Sequence, residues 1–335
     1  MTGSGHDPLV EILGLSRTFD VSKPWLNRMI EREPRHLLKA VQDVSFAIGR
    51  RETFALVGES GSGKSTVAKM VVGLLRPTSG SVKIDGIDMW KGSMAGDLKS
   101  LRRRIQMIFQ DPYASLNPRW RVGRIIADPI RAFGLAKDKA EIDHRIGELL
   151  RLVGLDPADA RKYPHEFSGG QRQRICIARA LSSKPQFLVC DEPTSALDVS
   201  VQAQILNLMR DLQDQFGLTY LFISHNLAVV RHMAARIGVM YLGRLVEVAR
   251  TSDLFRAPQH PYSRMLLDAV PDLKMSGRPR KMIEGEIPNP IYPPPGCAFH
   301  PRCPLAVERC RTELPVPLSR GQRTVACHEA EAGRI

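Results

Sequence analysis

The stretch GESGSGKST places Gly58, Gly61, Gly63, Lys64, Ser65 and Thr66 in the pattern of a phosphate loop, with Ser60 and Ser62 between the glycines. Glycines let backbone N–H groups turn inward around phosphate oxygens, and the helix that follows adds the positive end of its dipole. Lys64 is spaced to reach β- and γ-phosphates, and Ser65 to set its hydroxyl on Mg²⁺. Thr66 is a further phosphate contact or a helix-packing residue. A second stretch, FLVCDEPTSALD, puts Asp191 and Glu192 at the end of an apolar run. Asp191 is the carboxylate to hold Mg²⁺, and Glu192 the one to orient or deprotonate an attacking water. Adjacent carboxylates in such a place are costly unless a cation compensates them. Gln110 after MIF and His225 after LFIS stand at the ends of predicted apolar strands. Gln110 is placed to touch Mg²⁺ or water, and His225 to hydrogen-bond the γ-phosphate and the water. Together these residues point to hydrolysis of a nucleoside triphosphate.

Elements of fixed type must hold these groups. KAVQDVSFAIGRRETFALVG alternates apolar and polar residues, turns at Gly49, and ends in the short apolar run Phe54 to Val57 that feeds the loop. STVAKMVVGLL has helical spacing and stops at RPTSG. GSVKIDG predicts a short strand and turn. EIDHRIGELLRLVGL carries Ile142, Ile146, Leu149, Leu150 and Val153 at the period of an amphipathic helix. A second α/β portion follows from GGQRQRICIARAL, with strands QFLVC and TYLFIS around a long helix. Strand–helix alternation with an inserted helical block implies an α/β nucleotide-binding core plus a smaller helical subdomain. HPYSRMLLDAV predicts a short helix stopped by Pro271, and EIPNPIYPPPG is too rich in proline for a helix or a central strand.

The chain has 335 residues, 43% hydrophobic and 25% charged, enough for a globular core in two or three domains. The first thirty residues lack a basic region followed by an apolar run, and no run approaches a membrane-spanning length, so neither a secretory signal nor a spanning helix is expected. The net charge of +13 suits nucleic acid, a surface beside anionic lipid, or simple solvation. No zinc-finger spacing or aromatic-interleaved basic repeat favours nucleic acid.

EFSGGQRQRICIARAL followed by LVCDEPTSALD resembles the ATP-binding subunits of ABC transporters. The match covers residues 9–250, with a helical subdomain at about 95–180. The implied fold is a P-loop NTPase of the ABC ATPase type: a RecA-like α/β core, an antiparallel β subdomain and a helical signature subdomain. On this resemblance Ser168, Gly169, Gly170 and Gln171 fall on the signature. Lys64, Gln110, Asp191, Glu192, Asp198 and His225 fall on the phosphate-loop lysine, Q-loop, magnesium aspartate, catalytic glutamate, D-loop aspartate and switch histidine. Phe19 is the expected aromatic on adenine, with Trp25 a rival in the expanded segment VSKPWLNRMIEREPRH. The signature serine, two glycines and a helix make a second anion-binding N-terminus. In the family it closes on ATP held by an opposite subunit, in a head-to-tail dimer that drives a membrane partner.

HPYSRMLLDAVP and GEIPNPIYPPPGCAFHPRCPLAVERC resemble the C-terminal extension of oligopeptide/dipeptide importer ATPases, here residues 251–335. The expanded segment resembles the second, F-type, ATPase subunit of such systems. The implied function is ATP hydrolysis that drives peptide import. The implied partners are a related D-type ATPase subunit, two integral membrane permeases and an extracytoplasmic substrate-binding protein, with no nucleic acid. The implied location is peripheral, on the cytoplasmic face of a bacterial inner or plasma membrane. Importers of nickel, glutathione, murein peptide or sugar share the extension. A soluble ABC ATPase acting on nucleic acid, an exporter ATPase and a non-enzymatic scaffold are the other readings. The single phosphate loop, the tail, and the presence of Glu192 and His225 count against them.

Cys297, Cys303, Cys310 and Cys327 crowd this tail, while Cys176 and Cys190 lie in the core. A reducing compartment disfavours disulfides, so the cluster suggests a metal site or unpaired thiols. Its spacing lacks both the Cys-x2-Cys pairs of common zinc sites and the ferredoxin run. Proteins resembling this one carry a 4Fe–4S cluster here in some cases, so a 4Fe–4S cluster is expected on the four cysteines, with Zn²⁺ as the alternative and a structural role.

Overall fold

A computed structural model describes residues 7–32, 34–90, 95–269 and 285–335. Pro271 falls outside them. In chain order the strands are β1 (Val10–Asp20), β2 (Leu37–Ile48), β3 (Thr53–Val57), β4 (Ser79–Ile84), β5 (Ile87–Asp88) and β6 (Ile105–Ile108). They continue with β7 (Phe187–Asp191), β8 (Thr219–Ile223), β9 (Arg236–Tyr241), β10 (Arg244–Arg250), β11 (Leu318–Arg320) and β12 (Arg323–Val325).

Strands β3, β7 and β8 are apolar but for Thr53, Asp191 and Thr219 at their ends, and every residue in them is buried. Such runs belong in a parallel sheet covered on both faces. They form the middle of an eight-stranded sheet of order β11-β12-β10-β9-β3-β8-β7-β6, whose β9-β3-β8-β7-β6 portion is parallel. The alternating strand β2 instead pairs antiparallel with β1, which pairs antiparallel with β4, in a second sheet of order β2-β1-β4-β5. The two sheets share one core. Phe46 of β2 stacks on Phe54 of β3 with ring centroids 4.6 Å apart, and Ile12, Ile84, Leu56 and Val189 pack into the same apolar cluster.

The helices Val122–Ala132, Lys139–Leu152 and Gly169–Leu181 bury Ile126, Ile146, Leu150 and Ile175 in a separate cluster. Asp138 caps the second of them by accepting the Glu141 N–H at 2.8 Å. Strand β6, the strand expected ahead of Gln110, is the edge strand of the core sheet, in register with β7, and it moves the start of the helical block beyond about 95.

The end of the chain packs onto the core sheet. Helices Thr251–Arg256 and Pro261–Asp268 follow β10, and 286–296 forms neither helix nor strand. Then β12 pairs antiparallel with β10, so the extension adds two strands to the core sheet. Among the described residues no helix is long and apolar enough to cross a membrane.

Candidate functional site

β3 ends at Val57 and the chain turns through Gly58–Gly63 into the helix Lys64–Val71. The glycines answer to close approach. A Cβ on Gly58 would lie 2.2 Å from the Met240 carbonyl oxygen, and one on Gly63, at φ 102°, 2.3 Å from that of Ala40. The Gly243 N–H donates to the Ser62 carbonyl at 3.0 Å, tying the loop to the β9–β10 turn. Lys64 Nζ donates to the carbonyls of Gly58 and Glu59, both at 2.8 Å, and to Ser62 Oγ at 3.2 Å. Burial pulls the Lys64 ammonium below the ordinary lysine value, while Glu192, Asp191 and Glu59 pull the other way. A buried cation ringed by carbonyl oxygens is suited to meet phosphate.

The acidic groups converge on this cation from parallel strand ends. Ser65 Oγ donates to Asp191 Oδ1 at 3.0 Å. Burial pushes the Asp191 carboxyl above the usual range, with the Ser65 hydrogen bond opposing it. A buried carboxylate beside a hydroxyl offers hard oxygen donors, the set Mg²⁺ takes. Glu192 is held between Gln110 Nε2 at 3.0 Å on one oxygen and His225 Nδ1 at 3.2 Å on the other. Its backbone sits at φ 46°, and its N–H donates to the Ile223 carbonyl at 3.0 Å. Left-handed backbone at a non-glycine residue costs energy and here aims the carboxylate toward the loop. Gln110, Asp191, Glu192 and His225, read from separate motifs, thus meet beside Lys64.

An open cleft of about 420 Å³ runs along the loop, lined by Ser60, Gly61, Lys64, Ser65, Thr66, Gln110 and Glu192, and also by Phe19. The Arg17 guanidinium lies over the Phe19 ring, 4.7 Å from its centroid. Trp25 is 70% exposed and is not part of the cleft lining. Lys39 and Pro290 do line it and went unread in the sequence. Neither stands in a motif, and only the fold of β2 and of the extension carries them there.

The signature residues lie elsewhere. Ser168 caps the helix Gly169–Leu181 by accepting the Gln171 N–H at 3.3 Å, and Gln171 Oε1 accepts the Ser168 N–H at 3.0 Å. None of the four lines the cleft. Gly170 is dictated by packing as well: a Cβ there would meet Val201 Cγ1 at 2.4 Å. Asp198 caps the neighbouring helix Val199–Phe216 through the Val201 N–H at 2.9 Å.

The extension gathers its cysteines loosely. The Cys297 N–H donates to the Cys310 carbonyl at 2.9 Å, and the Cys297, Cys303, Cys310 and Cys327 thiols feel one another electrostatically. Burial pushes the Cys297 and Cys303 thiols up to about 11. This arrangement does not by itself support the expected metal site. Among the described residues no three Cys, His, Asp or Glu side chains are grouped so as to hold a metal ion, and all six cysteines are free.

Comparison with known proteins places these features in company. The family described as ABC transporter matches residues 41–195, and the one described as oligopeptide/dipeptide transporter, C-terminal region, matches residues 246–310. A putative peptide import ATP-binding protein of Brucella abortus is 51% identical over 326 residues, covering 97% of this chain and 95% of its own. The di/tripeptide transport ATP-binding protein DppF of Pseudomonas aeruginosa is 52% identical, covering 88% and 91%. The oligopeptide transport ATP-binding protein AppF of Bacillus subtilis is 44% identical, covering 98% and 99%. Among solved structures, the dimeric ATP-binding cassette MJ0796 in a post-hydrolysis state with ADP and Pi superposes with a TM-score of 0.62. It is 28% identical and covers 72% of this chain and 98% of its own.

Proposed function

We propose, because this chain belongs to the ATP-binding subunits of the ABC transporter family, that it hydrolyses ATP to drive import of peptides through membrane permeases. The observation that carries the reading is the convergence beside Lys64: Ser65 on Asp191 at 3.0 Å, and Glu192 between Gln110 and His225. In this reading Gly58, Ser60, Gly61, Ser62, Gly63, Lys64, Ser65 and Thr66 cradle the phosphates, and the ring of Phe19 stacks on adenine. Ser65, Asp191 and Gln110 would hold Mg²⁺, which would supply charge neutralisation at the phosphates. Glu192 orients the water and takes its proton, and His225 keeps that carboxylate and the γ-phosphate in line.

Ser168, Gly169, Gly170 and Gln171 stand apart from the cleft of their own chain, which supports their service to ATP held by a second, related ATPase subunit in head-to-tail pairing. Peptide is the substrate class supported by the matched extension and by what the named relatives carry. In this reading the chain is the F-type subunit of a D/F pair, beneath two permeases fed by an extracytoplasmic binding protein, peripheral to the cytoplasmic membrane face. The division into an ATPase unit at 9–250 and an extension at 251–335 belongs to this reading. A 4Fe–4S cluster or Zn²⁺ on the four tail cysteines belongs to it only through the gathering of those thiols. The side chains as placed do not fit a metal ion, and no step of turnover passes through one. Iron, zinc and acid-labile sulfide analysis of anaerobically purified protein decides that point.

The test of the whole reading is purification of the chain with its native membrane partners. ATP hydrolysis that rises when peptide-loaded binding protein is added supports it. A chain that co-purifies with no permease, and whose hydrolysis ignores peptide, overturns peptide import.

A further inference from the structure

One residue of the phosphate loop is gripped from the far end of the chain. Arg302 Nη1 donates to Glu59 Oε2 at 2.8 Å and Nη2 to Glu59 Oε1 at 2.9 Å, across 243 positions of sequence. The Arg302 side chain is only 2% exposed. Its guanidinium also reaches Tyr241 Oη at 3.4 Å. The Glu59 N–H donates to Tyr262 Oη at 2.9 Å, and the Glu59 carbonyl accepts from Lys64 Nζ at 2.8 Å. Glu59 is therefore held at side chain, N–H and carbonyl, the first two by the extension.

The mount is rigid. Arg302 closes the short turn His300–Arg302 between Cys297 and Cys303. Phe299 beside it is buried and packs edge-on against Tyr241, with centroids 5.2 Å apart, and against Tyr262 at 5.4 Å. A Cβ on Gly285 would come within 3.2 Å of Arg302 Cγ, so the backbone of the extension lies against the arginine stem.

We propose that Arg302 is a positioning residue for nucleotide binding, which keeps the Glu59 carboxylate away from Lys64 and fixes the phosphate loop in its receptive shape. Two physical effects combine. A bidentate guanidinium–carboxylate pair is both strong and directional, so it sets the orientation of the loop residue whose neighbours aim their N–H groups at phosphate. The Glu59 carboxylate is also a negative charge within electrostatic reach of the Lys64 ammonium. Arg302 neutralises it. Without that partner the carboxylate is left unpaired at a partly buried site, and Lys64 is the cation it can turn to. It would then compete with the phosphates for the same ammonium. The C-terminal extension thereby becomes part of the ATP site, although it contributes no phosphate ligand.

The proposal rests on the ATPase reading of the cleft, and full-length protein tests both separately. Mg·ATP affinity and the KM and kcat for ATP are measured for wild type, Arg302→Met, Glu59→Gln and the double variant. Arg302→Met is expected to weaken Mg·ATP binding about tenfold, the scale of one charge-assisted hydrogen bond, through KM rather than kcat. The double variant, which lacks the competing carboxylate, should recover most of that loss. Equal affinity in wild type and Arg302→Met, or a double variant as weak as or weaker than Arg302→Met, overturns the proposal. If Arg302→Met does not fold, Arg302→Gln removes the cation and keeps side-chain donors for Glu59. Weakened binding in it supports the proposal and wild-type affinity overturns it. A wild-type chain that binds no Mg·ATP would instead remove the ATPase reading, and this inference with it.

Discussion

Glu192 combines a strained backbone with a doubly held side chain, at φ 46° between Gln110 and His225. Its replacement by Gln keeps size and leaves Ser65, Asp191 and Lys64 untouched, while removing the group that takes a proton from water. Turnover of the assembled complex should fall by about 10² or more, the usual worth of a general base, with Mg·ATP binding retained. Hydrolysis at the wild-type rate would remove Glu192 from the role. Gly63→Ala tests the cradle instead. The added methyl must displace the Ala40 carbonyl, now 2.3 Å from where Cβ would sit, at a φ of 102° that alanine resists. Loss of Mg·ATP binding by calorimetry is the expected result, and normal affinity would show that the loop yields. At this scale the sequence was informative, because Lys64, Ser65, Asp191, Glu192, Gln110 and His225 each close an apolar run or stand in a contiguous motif. Glu59 was not legible as a pinned residue. The phosphate-loop pattern leaves its position open, and its partner stands in an unrelated stretch.

Helix-scale packing explains a residue that sequence reasoning assigned to anion binding alone. Gly170 lets the helix Gly169–Leu181 approach Val201, which extends from the helix Val199–Phe216 capped by Asp198. Gly170→Ala should overpack this contact and cost about 1–3 kcal/mol, read as a lower urea midpoint. Val201→Ala in the same chain removes the offending methyl groups, so the double variant should lose less than Gly170→Ala alone. Simple additivity of the two losses would show that the helices do not meet there as tightly as placed. The helices themselves were visible in their 3.6-residue period. Strand β6 was read from its apolar run ahead of Gln110 rather than from a period.

The whole molecule is closed by its extension. β12 continues the core sheet through β10, and His260 lies buried beneath Phe299 with its Nδ1 accepting the Tyr262 N–H at 3.1 Å. Glu247, also buried, accepts the His260 backbone N–H at 2.9 Å. Burial pulls the His260 imidazole from 6.5 down to about 3. The unfolded chain therefore takes up a proton between these values that the folded chain refuses. Stability from this group is complete above about pH 6.5 and is lost as pH falls toward 3. His260→Asn keeps an acceptor at the helix cap and removes the titration. Its unfolding free energy should fall less steeply below pH 6.5 than that of wild type, and parallel curves would exclude His260 as the source.

What the sequence determined by itself is the local chemistry: a glycine loop before a helix, carboxylates after apolar strands, a capped signature helix, and a cysteine-bearing extension that marks the subfamily. Each is written in neighbouring residues, where period and motif operate. Only the tertiary structure decided that the extension joins the core sheet, that Phe19 rather than Trp25 lines the cleft, and that the four tail thiols gather without forming a metal-holding group. It alone set Arg302 on Glu59. Such contacts arise from the packing of two sheets and a buried aromatic cluster, and burial joins residues by shape and charge irrespective of their distance along the chain.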